Sequence, residues 1–248
     1  LELADLERRP RPLPRLAIVV PCHNEEEVLR DTTRTLLARL DALRGEGLVD
    51  GSSRLCLVDD GSTDRTWAVI RELHAADVRV QGLKLSRNFG HQAAILAGML
   101  EVDADAVVTI DADLQDDEAS ITEMVRQYRD GHDLVLGVRD DRRSDPVAKR
   151  VTAHGYYRLL RLLGVNVVFN HADYRLLSRR AVEELRRYPE TNLFLRGIVP
   201  MLGLPTTTVR YARRPRTAGT SKYPARKMLS LAWEGVTSFS VAPLRLVS

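Results

Sequence analysis

The sequence predicts an α/β protein: a doubly wound, mostly parallel sheet flanked by helices. Short apolar runs alternate with amphipathic helical stretches over residues 1–138. A parallel crossover needs a connection such as a helix, so this alternation implies parallel strands. At 248 residues, 44% hydrophobic and 29% charged, the chain can bury the core of one large α/β domain or two small ones.

The first strand is "RLAIVVP" (15–21). From about Glu25 to Arg44, Val28, Leu36, Leu37, Leu40 and Leu43 recur at helical spacing. "SRLCLVDD" (53–60) is the second strand, and "GSTDRTWAVIRELHAA" (61–76) turns into a helix with Asp64 as candidate N-cap. "VQGLKLS" (80–86) is the third strand, followed by a helix over "HQAAILAGMLEV" (91–102). "DAVVTIDAD" (105–113) is the fourth, followed by a helix after Glu118, and "DLVLGVR" (133–139) is a fifth. Asp116, Asp117 and Glu118 read as a solvated acidic helix start, where carboxylates favour the helix dipole.

Residues 1–15 are charged and Pro-rich and read as a flexible lead without signal-peptide character. Cys22 and Cys56 fall in buried strands and read as structural thiols, which fits a reducing compartment. No run of 18 or more uncharged apolar residues occurs, so no segment reads as spanning a bilayer. The apolar tail "MLSLAWEGVTSFSVAPLRLVS" (228–248), broken by Glu234, Pro243 and Arg245, reads as an amphipathic membrane-proximal helix or the approach to spanning helices. Charge is divided unevenly. Residues 1–138 hold 16 Lys and Arg against 26 Asp and Glu, whereas residues 139–248 hold 21 against 8. The basic half suits phosphates, an acidic membrane surface or nucleic acid.

In doubly wound sheets ligands bind at the carboxyl ends of the strands. Here four polar clusters stand there: Pro21 to Glu25, Asp59 to Ser62, Ser86 to Asn88, and Asp111 to Asp113. Each alone is consistent with a turn or cap. Neither a G-x-G-x-x-G fingerprint nor a G-x-x-x-x-G-K-[ST] loop is present, so a bound phosphate is not held chiefly by a glycine cradle. The carboxylate pair Asp111 and Asp113 offers another means, since Mg²⁺ or Mn²⁺ takes oxygen ligands and bridges carboxylates to phosphates.

With "IVVPCHNEE" (18–26), "LVDDGSTDRT" (57–66), "LSRNFGHQAAILAGM" (85–99) and "TIDADLQD" (109–116), the chain resembles a family 2 glycosyltransferase of the GT-A fold. "HADYRLLSRRAVEEL" (171–185) and "RRPRTAGTSKY" (213–223) narrow the resemblance to bacterial polyprenyl-phosphate glycosyltransferases, relatives of dolichyl-phosphate mannose synthase. The resemblance implies a glycosyltransferase domain over residues 16–222, with a nucleotide-sugar half (16–138) and an acceptor half (139–222), before the tail at 223–248.

The resemblance implies that Pro21, His23, Glu25, Asp59 or Asp60, and Asn88 hold the nucleotide. Many relatives have Tyr at the position of His23. Asp111 and Asp113, with Gln115, would hold Mg²⁺ or Mn²⁺. Arg139, Arg150, His154, Arg213, Arg216, Ser221 and Lys222 would collect the acceptor phosphate and leaving diphosphate, with Asp113, Arg216 and Lys222 closest to the chemistry. Arg suits bidentate phosphate contacts and Lys supplies a point charge. A solvated basic loop and an exposed helix face are the plain readings of 213–223 and of Arg150 with His154. Asp173 either orients arginines or acts as base.

The implied reaction is inverting transfer of a sugar, UDP-glucose first, to undecaprenyl or decaprenyl phosphate at the cytoplasmic face of the bacterial plasma membrane. A GDP-mannose-dependent enzyme and a soluble transferase acting on a hydroxyl are the alternatives. A silent nucleotide-sugar sensor and a nucleic-acid-binding module are further rivals, but the latter leaves the acidic rim unexplained. Neither Trp67 nor Trp233 lies in a Gln-x-x-Arg-Trp motif, which argues against a processive synthase. Homo-oligomers associating through the tail are consistent with the resemblance.

Overall fold

The computed structural model describes residues 10–139, 171–188 and 195–212, with only the backbone at 171 and 172. Among these residues, seven strands form one sheet: β1 (Leu16–Cys22), β2 (Arg54–Asp59), β3 (Val80–Lys84), β4 (Ala106–Thr109), β5 (Leu134–Arg139), β6 (His171–Ser178) and β7 (Thr206–Tyr211). Six helices accompany them: α1 (Leu29–Gly45), α2 (Thr66–Ala76), α3 (His91–Glu101), α4 (Ser120–Arg129), α5 (Arg179–Arg186) and α6 (Leu195–Met201).

The strand order is β3-β2-β1-β4-β6-β5-β7. β3, β2, β1 and β4 are mutually parallel, with the order reversing between β1 and β4. Such a switch point opens a crevice at the carboxyl ends. All of β1 is buried. Its Leu16, Ile18 and Val20 join a core with α1, α2 and α4, while Ala17 and Val19 face α3, α5 and α6. This is the doubly wound arrangement the alternation predicts.

β5 was expected to follow β4 in a mostly parallel sheet, but β6 lies between them, antiparallel to both. β7 then pairs parallel to β5. Because β5 runs in the same direction as β4, its carboxyl end reaches the same rim, as does that of β7. β6 enters from that rim, so its early residues stand beside the end of β4.

Helix α1 starts at Leu29, later than the spacing alone predicts. The backbone N–H groups of Asn24, Glu25 and Glu26 are captured by Ser62 Oγ, Thr66 Oγ1 and Asp64 Oδ2, which hold residues 24–26 outside the helix. Asp64 Oδ1 also accepts from Thr66 N (2.9 Å), but Arg65 holds the N-cap position of α2 and makes no side-chain capping bond, so the expected cap at Asp64 falls one residue too early. In α4, Ile121, Met124, Val125 and Tyr128 fall on one buried face. Residues 10–15, read as lead, run along the protein. Arg11 N donates to Arg129 O, and its guanidinium donates to Asp133 (2.9 Å) and covers the Tyr128 ring (4.6 Å). No described helix is long and apolar enough to cross a membrane.

Candidate active site

The site is assembled from the ends of β1, β2, β4, β5 and β7, the start of β6, and the first residues of α3 and α6. On the β1–β2 side, His23 Nδ1 donates to Asp60 O (2.9 Å), which leaves Nε2 as the acceptor, with Asn24 Nδ2 at 3.4 Å. Asn24 has a left-handed φ of 55°. Its Oδ1 accepts from Thr63 N (2.9 Å), compensating a conformation that non-glycine residues rarely adopt. Asp59 is fully buried and accepts from Ser62 N through Oδ1 (3.1 Å), while its Oδ2 has no hydrogen-bond partner among the described residues. Such an orphan is an opening for a ligand donor or a water.

Asp60, expected with Asp59 at the nucleotide, has a different use. Its two oxygens accept the backbone N–H groups of Phe89 (2.7 Å) and Gly90 (3.0 Å), so its carboxylate clamps the loop leading into α3. Gly61 makes this possible. At φ 60°, a Cβ there would come within 2.3 Å of the Arg87 carbonyl carbon. Asn88 is exposed on the same loop.

On the β4 side the chain turns sharply after the strand. Leu114, with φ 45°, donates its N–H to Asp111 O (3.2 Å), and Gln115 N donates to Asp113 Oδ1 (3.2 Å). Thr32 Oγ1 donates to Ala112 O (2.6 Å) and ties the turn to α1. The result holds Asp111 and Asp113 on one short turn. Desolvation raises the Asp111 pKa from its ordinary value, with His91 opposing and Asp173, Asp116 and Asp113 adding to the rise.

Asp173, on β6, lies beside this turn. His91 Nε2 lies 3.4 Å from Asp111 Oδ1 and 3.6 Å from Asp173 Oδ2. Arg196 donates to Asp173 through Nε (3.2 Å to each oxygen) and Nη2 (2.8 Å). Arg175, fully buried, pairs with Asp173 Oδ1. Burial opposes ionisation of Asp173, but Arg196, His91 and Arg175 hold its pKa well below the usual carboxylate range.

Asp116 corrects its sequence reading as part of a solvated helix start. It is 3% exposed. Its Oδ1 accepts from Tyr211 Oη (2.9 Å) and Arg139 Nη2 (3.4 Å), because the ends of β5 and β7 close over the turn before α4 begins. Arg139 therefore stands on the rim. Arg150, His154, Arg213, Arg216, Ser221, Lys222 and the 223–248 tail lie outside the described residues.

The model of glycosyl transferase family 2 matches residues 17–186. An uncharacterized glycosyltransferase of Bacillus subtilis (strain 168), YkoT, is 51% identical over 94% of this chain and 69% of its own length. The chain belongs to glycosyltransferase family 2. Another relative, the bactoprenol glucosyl transferase of Shigella phage SfX, is 38% identical over 94% of this chain and 74% of its own. Among solved structures, the mannosyltransferase PcManGT of Pyrobaculum calidifontis, in complex with GDP-Man and Mn²⁺, aligns with TM-score 0.58 at 18% identity. It covers 87% of this chain, which spans 61% of that one. Glucosyl-3-phosphoglycerate synthase from Mycobacterium tuberculosis aligns with TM-score 0.57 at 19% identity, over 90% and 78%. The fold is that of the GT-A glycosyltransferases, and the enzyme is a glycosyltransferase.

The residues of this glycosyltransferase fit a divalent cation. Asp111, Asp113 and the Gln115 amide, gathered on one short turn, are hard oxygen donors of the kind Mg²⁺ and Mn²⁺ take. No group of three or more His, Cys, Asp or Glu among the described residues forms a metal cluster, so phosphate and water would have to complete the shell. His91, Arg175, Arg196, Asp116 and Tyr211 escaped the sequence reading. His91 was the most accessible of them, as the first residue of the helix following a rim cluster.

Proposed function

We propose that this glycosyltransferase moves a sugar from a UDP-sugar, UDP-glucose first, to a polyprenyl phosphate, with inversion and with Mg²⁺ or Mn²⁺ bound by Asp111, Asp113 and Gln115. The observation that carries this reading is the state of Asp173. Its oxygens are engaged by Arg175, Arg196 and His91, and these partners hold it strongly ionised. A carboxylate so stabilised is a weak base, poorly matched to removing a proton from a sugar or protein hydroxyl. A phosphate monoester, with a second pKa of about 6, is already largely ionised at neutral pH and needs no such base.

In this reading, Pro21, His23, Glu25, Asp59 and Asn88 hold the nucleotide, and Asp60 acts through the loop it clamps. Arg139 binds phosphate at the rim, joined by Arg150, His154, Arg213, Arg216, Ser221 and Lys222. Asp173 orients Arg196 toward the same cleft. The acceptor's phosphate oxygen attacks the anomeric carbon as the bond from that carbon to the diphosphate oxygen breaks, and the nucleoside diphosphate leaves with the electron pair. A bound cation would stabilise the charge growing on that diphosphate.

The bactoprenol glucosyl transferases among the relatives favour glucose and a polyprenyl acceptor. A GDP-mannose donor is the second reading. The basic half of the chain suits work beside the anionic cytoplasmic membrane face. The test is calorimetric binding of UDP and GDP with Mn²⁺ present and then removed, followed by transfer from UDP-glucose to undecaprenyl phosphate. Metal-dependent binding of UDP with transfer is expected. Preference for GDP would move the donor to the second reading, and transfer to hydroxyls alone would overturn the acceptor.

A further inference from the structure

We propose that Asp116 and Tyr211 are positioning residues, which hold the Arg139 guanidinium ready for phosphate. The proposal rests on the reading of Arg139 as a phosphate donor.

Tyr211 Oη donates to Asp116 Oδ1 (2.9 Å) and accepts from Arg139 Nε (3.1 Å), while Arg139 Nη2 reaches the same Asp116 oxygen at 3.4 Å. This triangle is rigid. The Tyr211 ring is buried edge-on to Tyr174, with centroids 5.1 Å apart at 84°, and Tyr174 Oη donates to Asp117 O (2.9 Å). Gly137 leaves room for both rings and for the Tyr174 carbonyl, since a Cβ there would lie 2.7 Å from Tyr174 O, 3.0 Å from Tyr211 Cε1 and 3.1 Å from Tyr174 Cδ1. The turn after β4, the end of β5, the middle of β6 and the end of β7 are thus locked together.

Two of the three guanidinium nitrogens are committed to the triangle. Nη1 has no hydrogen-bond partner among the described residues, and the Arg139 side chain is 32% exposed. A cation oriented in advance loses less rotamer freedom when it binds an anion. Asp116, which is buried, supplies the acceptor that fixes it. A buried ion pair adds little to stability, so holding Arg139 in place is the better account of it.

The test uses the full chain with Tyr211→Phe, Asp116→Asn, Arg139→Gln and the Asp116→Asn/Arg139→Gln double variant. The readouts are KM for undecaprenyl phosphate, KM for UDP-glucose and kcat. Tyr211→Phe is expected to raise the acceptor KM about tenfold, the scale of a lost hydrogen bond to a charged group, with the donor KM unchanged. Asp116→Asn should do the same, and the double variant should raise the acceptor KM no further than Arg139→Gln alone.

Unchanged acceptor KM in Tyr211→Phe and Asp116→Asn, beside a raised one in Arg139→Gln, overturns the positioning role and leaves the reading of Arg139 standing. An unchanged KM in Arg139→Gln overturns both. A fall in kcat with both KM values constant marks a structural role only and also overturns the proposal. If Asp116→Asn does not fold, Tyr211→Phe, which keeps its ring against Tyr174, decides. If the parent transfers no sugar to undecaprenyl phosphate, the acceptor reading falls and the positioning role falls with it.

Discussion

Asp173 and Arg175, two residues apart on β6 and so on the same face of the sheet, form an ion pair in which the arginine is fully buried. Arg175 Nη1 also donates to Leu195 O (3.2 Å), which ties the start of α6 to the strand. The pair therefore fixes both the carboxylate and the helix that carries Arg196. The geometry at the rim depends on a contact beneath it.

Arg175→Met should accordingly destabilise the protein by about 3–5 kcal/mol, the cost of removing one partner of a buried pair. That is a large part of a typical stability of about 5–15 kcal/mol. Urea unfolding monitored by circular dichroism measures it. A change below about 1 kcal/mol would mean that Arg196 and His91 suffice for Asp173.

Asp60→Ala should free the loop that Asp60 holds through Phe89 and Gly90. Each charged hydrogen bond lost is worth about 1.5–3 kcal/mol, and both amides should exchange with deuterium far faster than in the parent. Nucleotide affinity should fall with loop order. Unchanged exchange at these two amides would show the loop held by other contacts.

The parallel half of the fold was legible because its signals are local: apolar runs, helical spacing and polar strand ends. Asp111 and Asp113 stood out for the same reason, as carboxylates where an apolar strand stops. The position of β6 was hidden, since strand neighbours are chosen by contacts far along the chain. Asp116 looked like an ordinary helix-start carboxylate because its partner Tyr211 is 95 residues away. Arg175 was hidden by its type, since a buried arginine in a strand reads as polar until its acid and its carbonyl are brought to it.

The two thiols supply a pH prediction. Burial pushes Cys56 up to about 12 and Cys22 well above its ordinary value. In the unfolded chain both would ionise near about 8.5. Stability from each is complete below that value and is lost as pH rises toward the native pKa, at about 1.4 kcal/mol per pH unit per thiol. Between about pH 8.5 and 10, before tyrosines contribute, Cys56→Ala should reduce the alkaline slope of unfolding free energy by one thiol's share. An unchanged slope would show that Cys56 ionises equally in both states.

Asp113→Ala tests the acidic turn most directly. The substitution removes a proposed cation ligand and also the acceptor of Gln115 N (3.2 Å), yet Asp113 sits on a turn after β4 and not in the buried sheet. Its cost in stability should therefore be about 1 kcal/mol, the scale of a single hydrogen bond. Turnover and Mn²⁺-dependent UDP binding should both be abolished, because two carboxylates and an amide leave little redundancy once one carboxylate is gone. Calorimetry with Mn²⁺, then with chelator, separates the effects. UDP binding that persists in Asp113→Ala and still requires Mn²⁺ would move the cation elsewhere on the rim. Parental turnover would remove it from the proposed mechanism, leaving cationic side chains such as Arg139 and Arg196 to stabilise the leaving diphosphate.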